Sequence, residues 1–201
     1  MLGEPNILPL KILKSKLVIR LIEVTSSLIE LRYMQYARTR NNAFIKDCKK
    51  YLDILEKLAP NDYSAHLNRA IYLFLIAKNF RAAILELQKI KTAPDETWKY
   101  SLAFLYAYCG NLSKSRRLYN AASAGYVMSP EIYAHIDMFI SEIIEDEPKK
   151  YELYFARGYF NFKVRDRAIA KNDFTKFLQM VPNNLHLEEQ RLVEIYLKQL
   201  T

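Results

Sequence analysis

The chain has 201 residues and weighs 23.7 kDa, enough for one or two domains with a true hydrophobic core. Hydrophobic residues make up 51% and charged residues 26%, which excludes a disordered chain, and 4 Gly with 7 Pro are too few for a sandwich of many short strands. The net charge of +8 is uneven: residues 1–62 carry 11 basic and 7 acidic side chains, 63–128 carry 9 and 3, and 129–201 carry 10 and 12. Such a field favours acidic partners over basic ones. Cys48 and Cys109 alone cannot build a disulfide framework. The charge-free stretch Tyr100–Ser113 is 14 residues long, short of the roughly 18 that a membrane-crossing helix needs.

Taken in chain order, the pattern reads as helix after helix. Breakers fall at Asn41–Asn42, Pro60–Asn61–Asp62, Lys78–Asn79, Pro94–Asp95, Gly110–Asn111, Gly125, Ser129–Pro130, Pro148, Arg165–Asp166 and Pro182–Asn183–Asn184. They delimit helices near 10–38 (with a break allowed), 43–58, 63–77, 80–92, 96–109, 112–124, 130–145, 150–163, 167–180 and 185–199. Asp62, Asp95 and Ser129 are placed to cap the helices that follow them. Pro130 suits a first helical position, where its missing N–H costs little. In the first segment the apolar run Leu8–Ile22 is interrupted by Lys11, Lys14, Lys16 and Arg20. That argues against a secretory signal and for an amphipathic helix packed on its neighbours, with a membrane-surface helix as the alternative. Leu17, Leu21, Val24, Leu28 and Leu31 alternate by four and three, the spacing of a helical seam.

Equal segments at equal spacing point to an internal repeat. Residues 64–95 offer Leu67, Ala70, Ile71 and Phe74, then Phe80, Ala83, Leu87, Ile90 and Pro94. About 32 residues on, Leu102, Ala103 and Tyr106 are followed by Gly110, Leu112, Ser115, Tyr119 and Ala122. A further copy has Tyr154, Arg157 and Gly158, then Asp166, Ala170, Asp173, Phe174, Phe177 and Pro182. Small residues recur where two helices must approach, and large ones where space must be filled.

This set resembles the tetratricopeptide repeat. Tyr154, Gly158, Ala170, Phe174 and Pro182 match its aromatic, small, small, aromatic and proline positions, whereas Ser115 stands where Ala is usual. Residues 29–62 resemble a worn copy. The resemblance implies an all-α fold: a right-handed superhelical solenoid of antiparallel helix pairs. The organisation expected is N-terminal helices over 1–62, repeats over 63–184 with an irregular join near 125–150, and a capping helix over 185–201. The cap's apolar face would carry Leu185, Leu192, Ile195, Tyr196 and Leu200, with Glu188 and Glu189 turned away. The helix at 130–144 has no evident hairpin partner.

Chemistry is sparse. His66, His135 and His186 are far apart, and none has a metal partner at ligand spacing. No phosphate loop, nucleophile elbow or H-E-x-x-H is present. No catalytic residue, metal or cofactor is expected, and both cysteines read as packing residues.

The resemblance implies instead that first helices line a concave groove for a protein or peptide segment, as in an adaptor, chaperone or assembly factor. By position the groove residues are Asn68, Arg69 and Tyr72, then Tyr100, Phe104 and Tyr108, then Phe155 and Tyr159. Glu131, His135 and Met138 join them if the 130–144 helix follows suit. The alternative place for these rings is packing between repeats. The set lacks the Lys/Asn/Arg carboxylate clamp of some family members, having only Asn68 and Arg69. Nucleic acid is the second partner class, with Lys49, Lys50, Lys114, Arg116 and Arg117 on phosphates and aromatics on bases. The absence of a signal and the sparse cysteines make a cytoplasmic setting the expectation.

Overall fold

The computed structural model describes residues 7–39, 41–91, 97–124, 129–164 and 166–200. They form ten α-helices, with no strand among the described residues. No helix among them is long and apolar enough to cross a membrane. The chain divides into two compact units, Met1–Thr92 and Ala93–Thr201.

The first unit holds α1 (Ile7–Thr39), α2 (Asn42–Leu58), α3 (Tyr63–Leu75) and α4 (Phe80–Gln88). α1 runs unbroken for 33 residues. Asn41 stops the chain and restarts it, its side chain accepting a hydrogen bond from the Ala43 N–H. Asp62 does the same for α3 through Ser64, as its position predicts. α1 pairs with α2 and α3 with α4, and α3 also packs on α1 and α2. Ile29, Tyr33, Cys48, Leu52, Leu55 and Ala65 form the core between them. The second pair closes around Phe74 and Phe80, 5.5 Å apart, with Ala83 and Leu87 buried beside them.

The second unit holds α5 (Thr97–Tyr108), α6 (Leu112–Ser123), α7 (Pro130–Asp146), α8 (Tyr151–Val164), α9 (Arg167–Met180) and α10 (Leu187–Gln199). α5 pairs with α6 and α8 with α9; α8 then packs on both members of the preceding pair. Close packing is needed at each crossing, and small residues supply it: Ala103, Ala122, Ala156 and Ala170 are fully buried. At Gly158 even a Cβ would lie 2.8 Å from the Phe174 ring.

The turns inside the α3–α4 and α5–α6 pairs share one device. Gly110, with φ +80°, and Lys78, with φ 51°, sit in the left-handed region that ends a helix. The next residue caps the following helix: Asn79 accepts from Ala82 and Asn111 from Lys114. Asp166 accepts likewise from Ile169. The expected cap Ser129 accepts from Ile132, with Pro130 opening the helix. Asp95 lies outside the described residues.

α10 faces differently from the expectation. Val193 is buried and Tyr196 turns inward, stacking on Phe162 at 4.6 Å, whereas Leu185 and Ile195 are exposed. Glu189 is buried rather than turned away. The physical reason is Arg116 on α6, whose guanidinium lies 3.8 Å from the Glu189 carboxylate and 2.6 Å from that of Glu188.

Candidate protein-binding surface

The expected groove residues fall mostly inside the molecule. On α3, Asn68 is buried; its amide donates to the Ser64 carbonyl at 2.9 Å, and its backbone carbonyl accepts from the Tyr33 hydroxyl at 3.0 Å. Burial raises the Tyr33 hydroxyl pKa well above its ordinary value. Arg69 is partly exposed but bridges Glu56 and, at 3.4 Å, Glu86. Tyr72 is half-buried against the core of the first unit. The fragment Asn68–Arg69 therefore does not present a carboxylate clamp.

On α5, Tyr100, Phe104 and Tyr108 follow one another at helical spacing, and all three are buried. Tyr100 meets Tyr119 of α6 at 6.0 Å and Phe160 of α8 at 5.6 Å. Phe104 meets Phe139 of α7 at 5.5 Å. The Tyr108 hydroxyl donates to Glu147 at 2.6 Å while the Lys150 ammonium lies 4.3 Å above its ring. Burial, and then the Glu147 carboxylate, raise the Tyr108 pKa. On α8, Phe155 packs on Phe177 at 5.3 Å, and Tyr159 stacks on Tyr119 at 5.8 Å. The Tyr159 hydroxyl lies 3.2 Å from both Asn120 and the Tyr196 hydroxyl. These rings fill the space between helices, both within a pair and from one pair to the next. Of the eight expected groove residues, only Arg69 and Tyr72 keep appreciable surface.

The α5 stripe is covered mainly by α6 and α8, and α7 reaches it at Phe104. α7 belongs to no helix pair and lies against α8. Tyr133 stacks on Phe160 at 5.5 Å with 15° between the planes, and Phe139 meets Phe104 edge-on. Polar groups fix the register. The Tyr133 hydroxyl donates to the Asn161 side-chain oxygen at 2.6 Å, and the Asn161 amide donates to Asp137 at 2.9 Å. Burial, then the carboxylates of Asp137 and Asp166, push the Tyr133 pKa up to about 12. Arg157 donates to Ser141 of α7 at 2.9 Å and grips Asp173 of α9 with two bonds of 2.8 Å. This polar face of α8 carries no residue of the expected groove. Its signal was Arg157 and Asp173 standing among the repeat positions of the last copy, which by itself does not say that a third helix is bound. The outward side of α7 leaves Glu131, His135 and Met138 exposed.

In the first unit, His66 and Glu86 meet in one buried cluster. His66 Nδ1 lies 2.7 Å from Glu86, which also takes the Lys89 ammonium at 2.7 Å. Burial opposes the Glu86 charge, but the bonds from Lys89 and His66 and the nearby Arg69 outweigh it and hold the pKa below the usual value. That is a satisfied buried carboxylate. No group of three metal-ligating side chains occurs among the described residues. A shallow cleft of about 410 Å³ lined by Phe162, Arg167, Gln199 and Leu200 is open to solvent.

The basic residues are partly committed. Arg116 is paired with Glu188 and Lys114 lies 5.2 Å above the Tyr106 ring, while Lys49, Lys50 and Arg117 are exposed. Comparisons with protein-family models, with curated proteins and with solved structures find no match for this chain.

Proposed function

We propose that the chain is a non-catalytic helical-repeat module of the tetratricopeptide type, which binds a helical segment of another protein as an adaptor, chaperone or assembly factor. The observation that carries the reading is α7: a helix outside the pairs, seated on the ring face of α8 and touching α5 at Phe104. A repeat surface that receives one helix in cis has the chemistry to receive another in trans: aromatic anchors, here Phe104 and Phe160, and orienting polar groups, here Arg157 and Asn161. In this reading α7 holds the ligand seat when no partner is bound. The pairing of α5 with α6 and α8 with α9, and the packing of α8 on the earlier pair, support stacked helix hairpins; the right-handed superhelix is what the family resemblance implies. The exposed free thiol of Cys109 fits a reducing, cytoplasmic setting.

The test is affinity capture from source-cell lysate, with and without nuclease, washed across a salt series, comparing the wild type with a Tyr133→Ala/Phe139→Ala variant. A protein recovered despite nuclease and moderate salt, and recovered more strongly by the variant, supports the seat. Weaker recovery by the folded variant places binding on α7 itself. Recovery that vanishes with nuclease or a little salt makes nucleic acid the partner.

A further inference from the structure

α1 has two apolar stripes, and the fold uses one. Thr25, Ile29 and Tyr33 are buried, and Ile22 is partly so, against α2 and α3. The second stripe is the alternating seam seen in the sequence, turned about 130° around the helix at 100° per residue. Leu17 is 63% exposed, Leu21 46%, Val24 47% and Leu31 44%, with Leu28 half-buried. The rest of the surface is mostly polar: Lys16, Arg20, Glu23, Ser27 and Arg38 are exposed, with an Arg20–Glu23 pair at 2.8 Å, and Ile19 at 56% and Met34 at 39% are isolated apolar positions among them. A single interior-facing stripe is all that a helix on a core requires. The second stripe needs another explanation.

We propose that two copies of this chain associate through the seam Leu17–Leu21–Val24–Leu28–Leu31. Two observations single out a second copy as the occupant. The steps of four and three are those that keep a stripe facing another helix over several turns, and a copy of the same stripe supplies matching knobs and holes. The area is that of a weak dimer. At these exposures the outward side chains leave roughly 400 Å² of apolar surface per copy, so complete pairing removes at most about 800 Å² from them and on the order of 1,000 Å² with the flanking Arg20 and Ser27, just under the roughly 1,200 Å² of a standard stable interface. The stripe is presented rigidly, because α2 braces the other side of α1 through Cys48, Leu52 and Leu55. The association does not depend on the peptide-binding reading; either stands without the other.

The test is sedimentation of the full chain up to about 100 µM, a range that exposes a weak dimer. The expected wild-type mass is twice 23.7 kDa. Leu21→Glu/Leu31→Glu, which buries two carboxylates per copy in the seam, weakens association at least about 100-fold with unchanged helicity. If that variant loses helicity, Leu17→Glu, at the most exposed position, carries the same expectation. A wild type that stays monomeric overturns the proposal, and so does a folded charged variant that remains dimeric. A monomer that co-sediments with vesicles of mixed neutral and anionic phospholipid also overturns it, and assigns the seam to a membrane surface.

Discussion

Ser115 stands where the repeat pattern asks for Ala, and the structure shows what the difference means. The residue is fully buried and its hydroxyl has no hydrogen-bond partner among the described residues. Leaving a hydroxyl dry is unfavourable, so Ser115→Ala raises stability by about 1 kcal/mol; urea denaturation measures it. Gly158 predicts the opposite sign. A methyl there meets Phe174 at 2.8 Å, with the Asp173 Cβ 3.1 Å away. Gly158→Ala lowers stability by about 2 kcal/mol despite its better helix propensity. Glu86 makes a pH prediction. Its folded pKa lies below the ordinary 4.5, so its contribution is present above the unfolded value and lost as pH falls through the folded one. Wild type and Glu86→Gln therefore differ most near neutral pH and converge on acidification, in denaturation series at stepped pH.

At the scale of elements, helix positions were legible because caps and breakers are local. Asp62, Ser129 and Pro130 act where their types predict, and Asn41, Asn79, Asn111 and Asp166, first visible only as breakers, cap as well. The facing of helices was less legible. Tyr100, Phe104, Phe155 and Tyr159 lie at helical spacing on helices with apolar residues on several sides, so the sequence does not distinguish a groove ring from a packing ring. α10 misled for a related reason: its buried carboxylate, Glu189, depends on Arg116, which lies far away in the sequence. The seat of α7 rests on contacts across many residues, such as Arg157 to Ser141 and to Asp173. Burial raises the Asp173 pKa against the pull of Arg157, so the carboxylate depends on that partner. Arg157→Leu strands it and costs about 3 kcal/mol, while adding Asp173→Leu recovers most of the loss; a double-mutant cycle in urea reads both.

For the whole molecule, all-α architecture followed from composition and period, but the division between Thr92 and Ala93 did not. The helical rhythm continues across that point, and only the partners of each helix reveal it. α3, a repeat helix by its pattern, shares a core with α1 and α2. The second unit has its own core from Ala103 and Tyr119 through Phe174 and Val193. Residues 93–201 expressed alone should therefore fold cooperatively with a helical spectrum; a non-cooperative melt would show that this core is incomplete.

The ring cluster of the second unit has an optical consequence. Trp98, half-buried at the start of α5, is the chain's single tryptophan among 15 tyrosines. Light absorbed by Tyr100, Tyr119 and Tyr159 is passed to its indole while the unit is folded, and returns as tyrosine emission once the helices part. The first unit has no such acceptor. The tryptophan signal of the unlabelled protein thus reports on the second unit from within, and Tyr119→Phe should lower the transferred signal while leaving the directly excited tryptophan spectrum in place.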